Sequence, residues 1–133
     1  MDVLTGRTIY NGKITGEALA TNSPIGFFGH VDPVTGIIKE QSHPLFGETI
    51  SAKVLVFPNA KGSTVGSYIL YALKKNGKAP KALILGQCEL IVAVGAIIAE
   101  IPAVDQVDID RFKSGDFVTI NGNQITIERT AIH

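Results

Sequence analysis

Residues 57 to 71 read Phe-Pro-Asn-Ala-Lys-Gly-Ser-Thr-Val-Gly-Ser-Tyr-Ile-Leu-Tyr, a strand end that breaks into small residues and runs straight into an amphipathic helix. The first amides of a helix have no carbonyl partner within it, and the aligned peptide dipoles leave partial positive charge at that end. Such a junction is suited to negative charge. Gly62 and Gly66 let a ligand approach the backbone closely, Lys61 adds a cation, and Ser63, Thr64 and Ser67 add three hydroxyls. A plainer reading stands beside the anion site: Ser63 or Thr64 caps the helix, Gly66 packs and Lys61 is solvated. The familiar nucleotide loop does not fit, because it needs Lys and then Ser or Thr after its last glycine, whereas Gly66 is followed by Ser67 and Tyr68.

Two other places carry reactive side chains. His30-Val31-Asp32-Pro33-Val34-Thr35-Gly36 puts an imidazole, a carboxylate and a hydroxyl in one turn, with His43-Pro44-Leu45 a little beyond. A metal site is one reading, but turn chemistry alone accounts for Asp32, Pro33, Thr35 and Gly36. Cys88, beside Glu89 and after Gly86, follows a strand end, where active-site residues of α/β domains gather. Its apolar neighbours favour a buried structural thiol over a reactive one. As the only cysteine, it can form no internal disulfide and cannot complete a cysteine-ligated metal site.

The elements that hold these residues follow from pattern. Turns at Asn11-Gly12, Asn22-Ser23-Pro24, Asp32-Pro33 and Thr35-Gly36 cut the first third into short segments such as Glu17–Ala20 and Ile25–Phe28, as in a β layer or barrel. Ser51–Phe57 predicts a strand buried on both faces, ended by Pro58. Val65, Tyr68, Ile69, Ala72 and Leu73 predict a helix over Thr64–Lys75, stopped by Asn76-Gly77. Lys81–Leu85 reads as a second buried strand. Leu90, Val94, Ile97, Ile98 and Ile101 fall on one side of a further short helix. Asn121-Gly122-Asn123, between Asp116–Ile120 and Gln124–Glu128, marks a hairpin.

With 133 residues and 45% hydrophobic content, the chain is expected to form one domain, residues 1–133. Twelve basic residues balance twelve acidic ones, which argues against nucleic acid or an anionic membrane as the main partner. Charged residues make up only 18% and mean hydropathy is +0.25, so some apolar surface is expected to be covered by another chain. Met1-Asp2-Val3-Leu4 lacks the start of a signal peptide, and the apolar run Leu90–Ile101 is too short to span a bilayer. A cytoplasmic location is therefore expected.

Taken together, Gly-His-Val-Asp-Pro-Val-Thr-Gly (29 to 36), His-Pro-Leu-Phe-Gly (43 to 47), Phe-Pro-Asn-Ala-Lys-Gly-Ser-Thr-Val-Gly-Ser (57 to 67) and Gly-Ala-Ile-Ile-Ala-Glu-Ile-Pro-Ala-Val-Asp (95 to 105) resemble the small subunit of the aconitase X family, over nearly the whole chain. The resemblance implies an α/β, β-rich fold: the swivelling β/β/α domain that is the mobile small domain of aconitase-like enzymes. It also implies a large partner subunit holding an iron–sulfur cluster of the [4Fe-4S] type, with no metal on this chain alone. Archaeal members dehydrate (R)-5-phosphomevalonate to trans-anhydromevalonate 5-phosphate, and a bacterial branch dehydrates cis-3-hydroxy-L-proline. By this resemblance the substrate is a small phosphorylated hydroxy acid and Ser63, in the Gly-Ser-Thr motif, is the proton acceptor. Lys61, Gly62, Thr64, Val65, Gly66 and Ser67 around it are expected to bind substrate. A competing class is a non-catalytic swivelling module that binds a phosphorylated ligand, with Ser63 only a cap.

Overall fold

In the computed structural model, which describes residues 2–61 and 66–128, the Asn121-Gly122-Asn123 turn closes a hairpin between β7 (Phe117–Asn121) and β8 (Gln124–Glu128), as its sequence predicts. Beyond β8 lies β1 (Asp2–Thr5), and on the other side of β7 lies β3 (Lys13–Ala20), all antiparallel. The eight-residue β3 changes the character of the sheet. Its first five residues pair antiparallel with β7 and its last three pair parallel with β4 (Val54–Phe57). β5 (Ala82–Leu85) and β6 (Ala103–Asp105) continue the parallel half, and β2 (Arg7–Tyr10) closes it antiparallel to β6.

The order β1-β8-β7-β3-β4-β5-β6-β2 places two strands that are consecutive in sequence at opposite edges of the sheet. Only Gly6 separates β1 from β2, so the sheet must curl until its edges meet, which yields a nearly closed barrel. A side chain at this seam has no room. A Cβ on Gly6 would stand 2.5 Å from Val104 Cγ1 and 2.6 Å from the Asp105 carbonyl oxygen.

Period-two alternation sorts the strand residues into two cores. Ala18, Val54, Val56, Ala82, Ile84 and Val104 join Val118, Ile120, Ile125 and Ile127 of the hairpin in one cluster. Leu19, Leu55, Phe57, Leu83 and Leu85 point to the other face, where α2 (Gly66–Lys75) and α3 (Leu90–Ala99) cover them. Both faces are therefore buried, and each fully buried Leu, Ile or Val contributes about 1.5–3 kcal/mol. This explains the unbroken apolar runs of β4 and β5.

Several boundaries and faces differ from the sequence expectations. The strand expected over Ser51–Phe57 begins at Val54, because Ser51 to Lys53 turn, with Ala52 at φ 59°. Glu17–Ala20 is the end of β3 rather than a separate segment, and after Ile25 the chain forms a short irregular turn, α1 (Phe27–His30), in which Phe28 and Gly29 leave the helical region. The described part of α2 buries Gly66, Leu70 and Leu73, while Tyr68 is exposed. The predicted α3 forms, but its predicted apolar side is turned outward. Leu90, Val94, Ile97 and Ile98 are exposed, Val92, Gly95, Ala96 and Ala99 are buried, and of the predicted stripe only Ile101, beyond the helix, is in the core. The small residues let α3 lie close against α2, and close packing outweighs the larger stripe.

The α2–α3 approach is tightest at Gly95, where an added Cβ would lie 2.8 Å from Leu70 Cδ1 and 3.0 Å from Ser67 Cα. Helix propensity alone would make Gly95→Ala stabilising by about 1 kcal/mol. Overpacking against a neighbouring backbone costs about 1–3 kcal/mol, so the variant is expected to be less stable than the parent by up to about 2 kcal/mol in urea unfolding, rather than more stable as propensity alone predicts.

Candidate functional site

Because β3, β4, β5 and β6 run parallel, their carboxyl ends lie on one side, and the loops that follow them converge there. Backbone hydrogen bonds join these loops. Ile25 N–H donates to the Asn59 carbonyl, Lys61 N–H to the Ile25 carbonyl at 3.1 Å, Gln87 N–H to the Pro58 carbonyl at 2.9 Å, and Gln106 N–H to the Gly86 carbonyl at 3.0 Å. The segment leading to Lys61 is thus held between the segments that follow β3 and β5.

A polar pocket of about 280 Å³ opens beside Lys61, lined also by Ser23, Pro24, His30, Glu40, Ser42, His43 and Pro44. Its two imidazoles stand edge to face, 5.6 Å between ring centroids. His43 is buried and both of its ring nitrogens are engaged: Nδ1 accepts from Leu45 N–H at 3.0 Å, so Nε2 carries the proton and donates to the Pro24 carbonyl at 3.1 Å. Among the described residues, His30 is fixed on one nitrogen only. Its Nδ1 accepts from Gly26 N–H at 3.0 Å, which leaves the proton on Nε2. Burial, then the positive Lys61 and then His43 lower the His30 pKa, so the ring is neutral at neutral pH. Glu40 Oε1 accepts from Ser42 N–H and Oγ–H, bonds that hold its carboxyl below the usual carboxylate range.

The turn reading of Asp32 and Thr35 holds. Asp32 Oδ1 accepts from Val34 N–H at 2.8 Å, Thr35 Oγ1 accepts from Ile37 N–H, and Gly36 has φ 75°. Among the described residues no group of three or more His, Cys, Asp or Glu is placed to hold a metal ion.

Of the residues singled out in the 61–67 loop, Lys61, Gly66 and Ser67 are described; Gly62, Ser63, Thr64 and Val65 lie outside the described residues. Lys61 and Gly66 meet across a narrow cleft lined also by Phe27, Ala60, Glu89, Ile91 and Val92. Ser67 lines a groove of about 340 Å³ between α2 and α3, together with Tyr68, Tyr71, Val94 and Ile98. This groove is the outward apolar stripe of α3. The sequence reading passed over Glu40, Ser42 and Glu89 as site residues and considered His30 only as a metal ligand or turn residue. No spacing links residue 30 to residue 61; only the convergence of parallel strands does.

On the far side of the same loops, Asp105 is fully buried at the end of β6 and accepts from Arg7 Nε at 2.9 Å, Arg7 Nη2 at 2.8 Å and Cys88 N–H at 2.8 Å. This carboxylate fastens edge strand β2 to the loop after β5. It also disfavours a thiolate at Cys88, adding to burial, and together they push the thiol up to about 11.

Comparison with known proteins places this geometry. Residues 3–129 match the family model described as the aconitase X swivel domain. A curated relative from Thermococcus onnurineus, phosphomevalonate dehydratase small subunit, is 52% identical over 125 residues, covering 94% of this chain and 96% of its own. The protein of the same name from Methanosarcina acetivorans is 55% identical over 128 residues, covering 94% and 89%. A crystal structure of Thermococcus kodakaraensis aconitase X in its holo form superposes with a TM-score of 0.95 at 48% identity, over 97% of this chain and 100% of that one.

The surroundings of Cys88 set its reactivity. A rise of about two pKa units leaves about a hundredfold less thiolate than in an unperturbed cysteine at the same pH. Alkylation by iodoacetamide at pH 8, followed by intact mass, should therefore be at least about a hundredfold slower than for free cysteine and become ordinary in guanidinium. A native rate equal to that of free cysteine would contradict the burial.

Proposed function

The chain belongs to the aconitase X swivel-domain family, and on that premise we propose that it is the small subunit of a two-chain hydro-lyase that dehydrates (R)-5-phosphomevalonate to trans-anhydromevalonate 5-phosphate. The observation that carries this reading is the near-complete, two-way coverage of relatives named phosphomevalonate dehydratase small subunit at about half identity. Two features of the described residues support the reading: Lys61 and Gly66 meet at the carboxyl ends of parallel strands, and beside them lies an apolar groove. Tyr68, Leu90 and Ile98, exposed by 72%, 76% and 57%, line or flank that groove and form the face we assign to the large subunit. A partner seated there would border Ser67 and the start of α2, and so enclose the loop.

Removing water from a β-hydroxy acid requires an acceptor for the proton beside the carboxylate and assistance to the departing hydroxyl. Ser63 is the acceptor in this reading. Serine is a weak base, so its alkoxide needs stabilisation. One helix terminus supplies only about 0.3–1 kcal/mol at an exposed site, and Lys61, two residues before Ser63 in the sequence, adds to it. The larger share must come from exclusion of water once the partner covers the loop, because the same charges act more strongly in low dielectric.

A [4Fe-4S] cluster in the large subunit would supply the Lewis acid for the hydroxyl. The residues of this chain do not fit such a group: Cys88 is buried, its thiol is held protonated, and it is the one cysteine in the sequence. This chain's part is to hold the substrate's anionic groups and to take the proton.

Ser63→Ala tests the assignment. In the assembled enzyme it should lower kcat by at least about 100- to 10,000-fold with little change in KM, because the loss falls on the chemical step. Loss of a mere helix cap costs about 0.5–2 kcal/mol of stability and leaves kcat near normal in the folded fraction. Thr64→Ala is the control and should retain activity. Turnover of cis-3-hydroxy-L-proline with none of (R)-5-phosphomevalonate would move the enzyme to the hydroxyproline branch.

A further inference from the structure

We propose that the pocket formed by His30, Ser42, His43 and Lys61 receives the phosphate end of the substrate, with His30 donating from Nε2 as a neutral imidazole. The inference rests on the phosphomevalonate reading above and adds residues to it. The pocket, about 280 Å³, lies just below the range of about 300–1,000 Å³ typical of whole-ligand sites, a size for one end of a small molecule.

The donor is built rather than incidental. Gly26 N–H fixes the His30 tautomer, and among the described residues nothing else engages Nε2. His43, with both nitrogens engaged, is a rigid wall against the edge of that ring. Lys61 supplies the charge, and its backbone is pinned by the Ile25 carbonyl. The three come from segments after β3, within the following loop and after β4, and only the fold assembles them.

Position favours phosphate over carboxylate. The abstracted proton sits beside the carboxylate, so the carboxylate must lie at the proton acceptor and the phosphate must lie away from it. Five bonds separate that carbon from phosphorus, an extended span of about 6–7 Å, and the Cα atoms of residues 61 and 63 are at most about 7 Å apart by chain connectivity alone. Glu40 is the one group in the pocket with the wrong sign for an anion. It is half-buried and turned onto Ser42, accepting from that residue's N–H and hydroxyl.

These opposed signs make the proposal testable in the assembled enzyme, with (R)-5-phosphomevalonate as substrate and inorganic phosphate as inhibitor. His30→Ala should raise both the KM and the phosphate inhibition constant about ten- to a hundredfold, the usual worth of a hydrogen bond to a charged group, with kcat little changed. Because that variant also removes the acceptor of Gly26 N–H, the surface change Glu40→Gln serves as the second arm. It should lower both constants about two- to fivefold by removing a repulsion. Unchanged constants in both variants would overturn the proposal, and weaker binding in Glu40→Gln would mark the pocket as a cation site instead. If the wild-type enzyme does not turn over phosphomevalonate, the functional reading fails separately. Amide shifts of Gly26, Ser42 and Leu45 on titrating the full chain with inorganic phosphate then decide the pocket: present, they uphold a phosphate site; absent, they refute it.

Discussion

One covalent constraint organises this molecule: a single glycine connects strands that lie at opposite edges of the sheet. With Gly6 as the whole connection, β1 and β2 can occupy their places only if the sheet closes on itself, and a Cβ at the seam would collide with Val104 and the Asp105 carbonyl. Closure encloses one core and leaves the outer face of the parallel strands for α2 and α3. The Arg7–Asp105 pair secures the same seam from the side-chain direction, and Asp105 passes the constraint on to the loop after β5 through Cys88 N–H.

The parallel half gives the site its location. Four strands ending on one side bring segments around residues 21–31, 58–61, 86–89 and 105–106 together, although long stretches of sequence separate them. Two imidazoles and one lysine line this pocket together with Glu40, in keeping with a chain whose charges balance overall. On the helix side of this end the surface is apolar and groove-shaped. A polar pocket beside an exposed apolar groove is what half of a shared active site would present to a partner.

Much of the fold was legible in the sequence because it rests on local chemistry. The 121–123 turn, the buried runs of β4 and β5, and the helix stop at Asn76-Gly77 all depend on neighbouring residues alone. Which side of a helix is buried was not legible in this way. Leu90, Val94, Ile97 and Ile98 are a good inward stripe by hydrophobicity, yet the smaller Gly95, Ala96 and Ala99 took that place because α2 and the sheet come too close for larger side chains. The misplaced stripe is itself informative, since low charge and high hydropathy had already implied a covered surface. The 61–67 loop stood out by its density of small polar residues, and the resemblance to aconitase X gave Ser63 its expected role. The pocket of His30 and His43 did not stand out, because its members meet only after the strands have paired.

The account turns on the idea that this chain supplies half of a site which the large subunit completes by seating on the α2–α3 groove. The most direct measurement is reconstitution: the purified large subunit is titrated with this chain while dehydration of (R)-5-phosphomevalonate is followed. Neither chain alone should be active, activity should saturate at equimolar ratio, and Ile98→Glu, folded by circular dichroism, should raise the dissociation constant of the two chains, read from titrations at dilute large subunit, at least about thirtyfold, because a charge in an apolar interface costs about 2 kcal/mol or more. Full activity from either chain alone, or an Ile98→Glu titration matching the parent, would contradict the account.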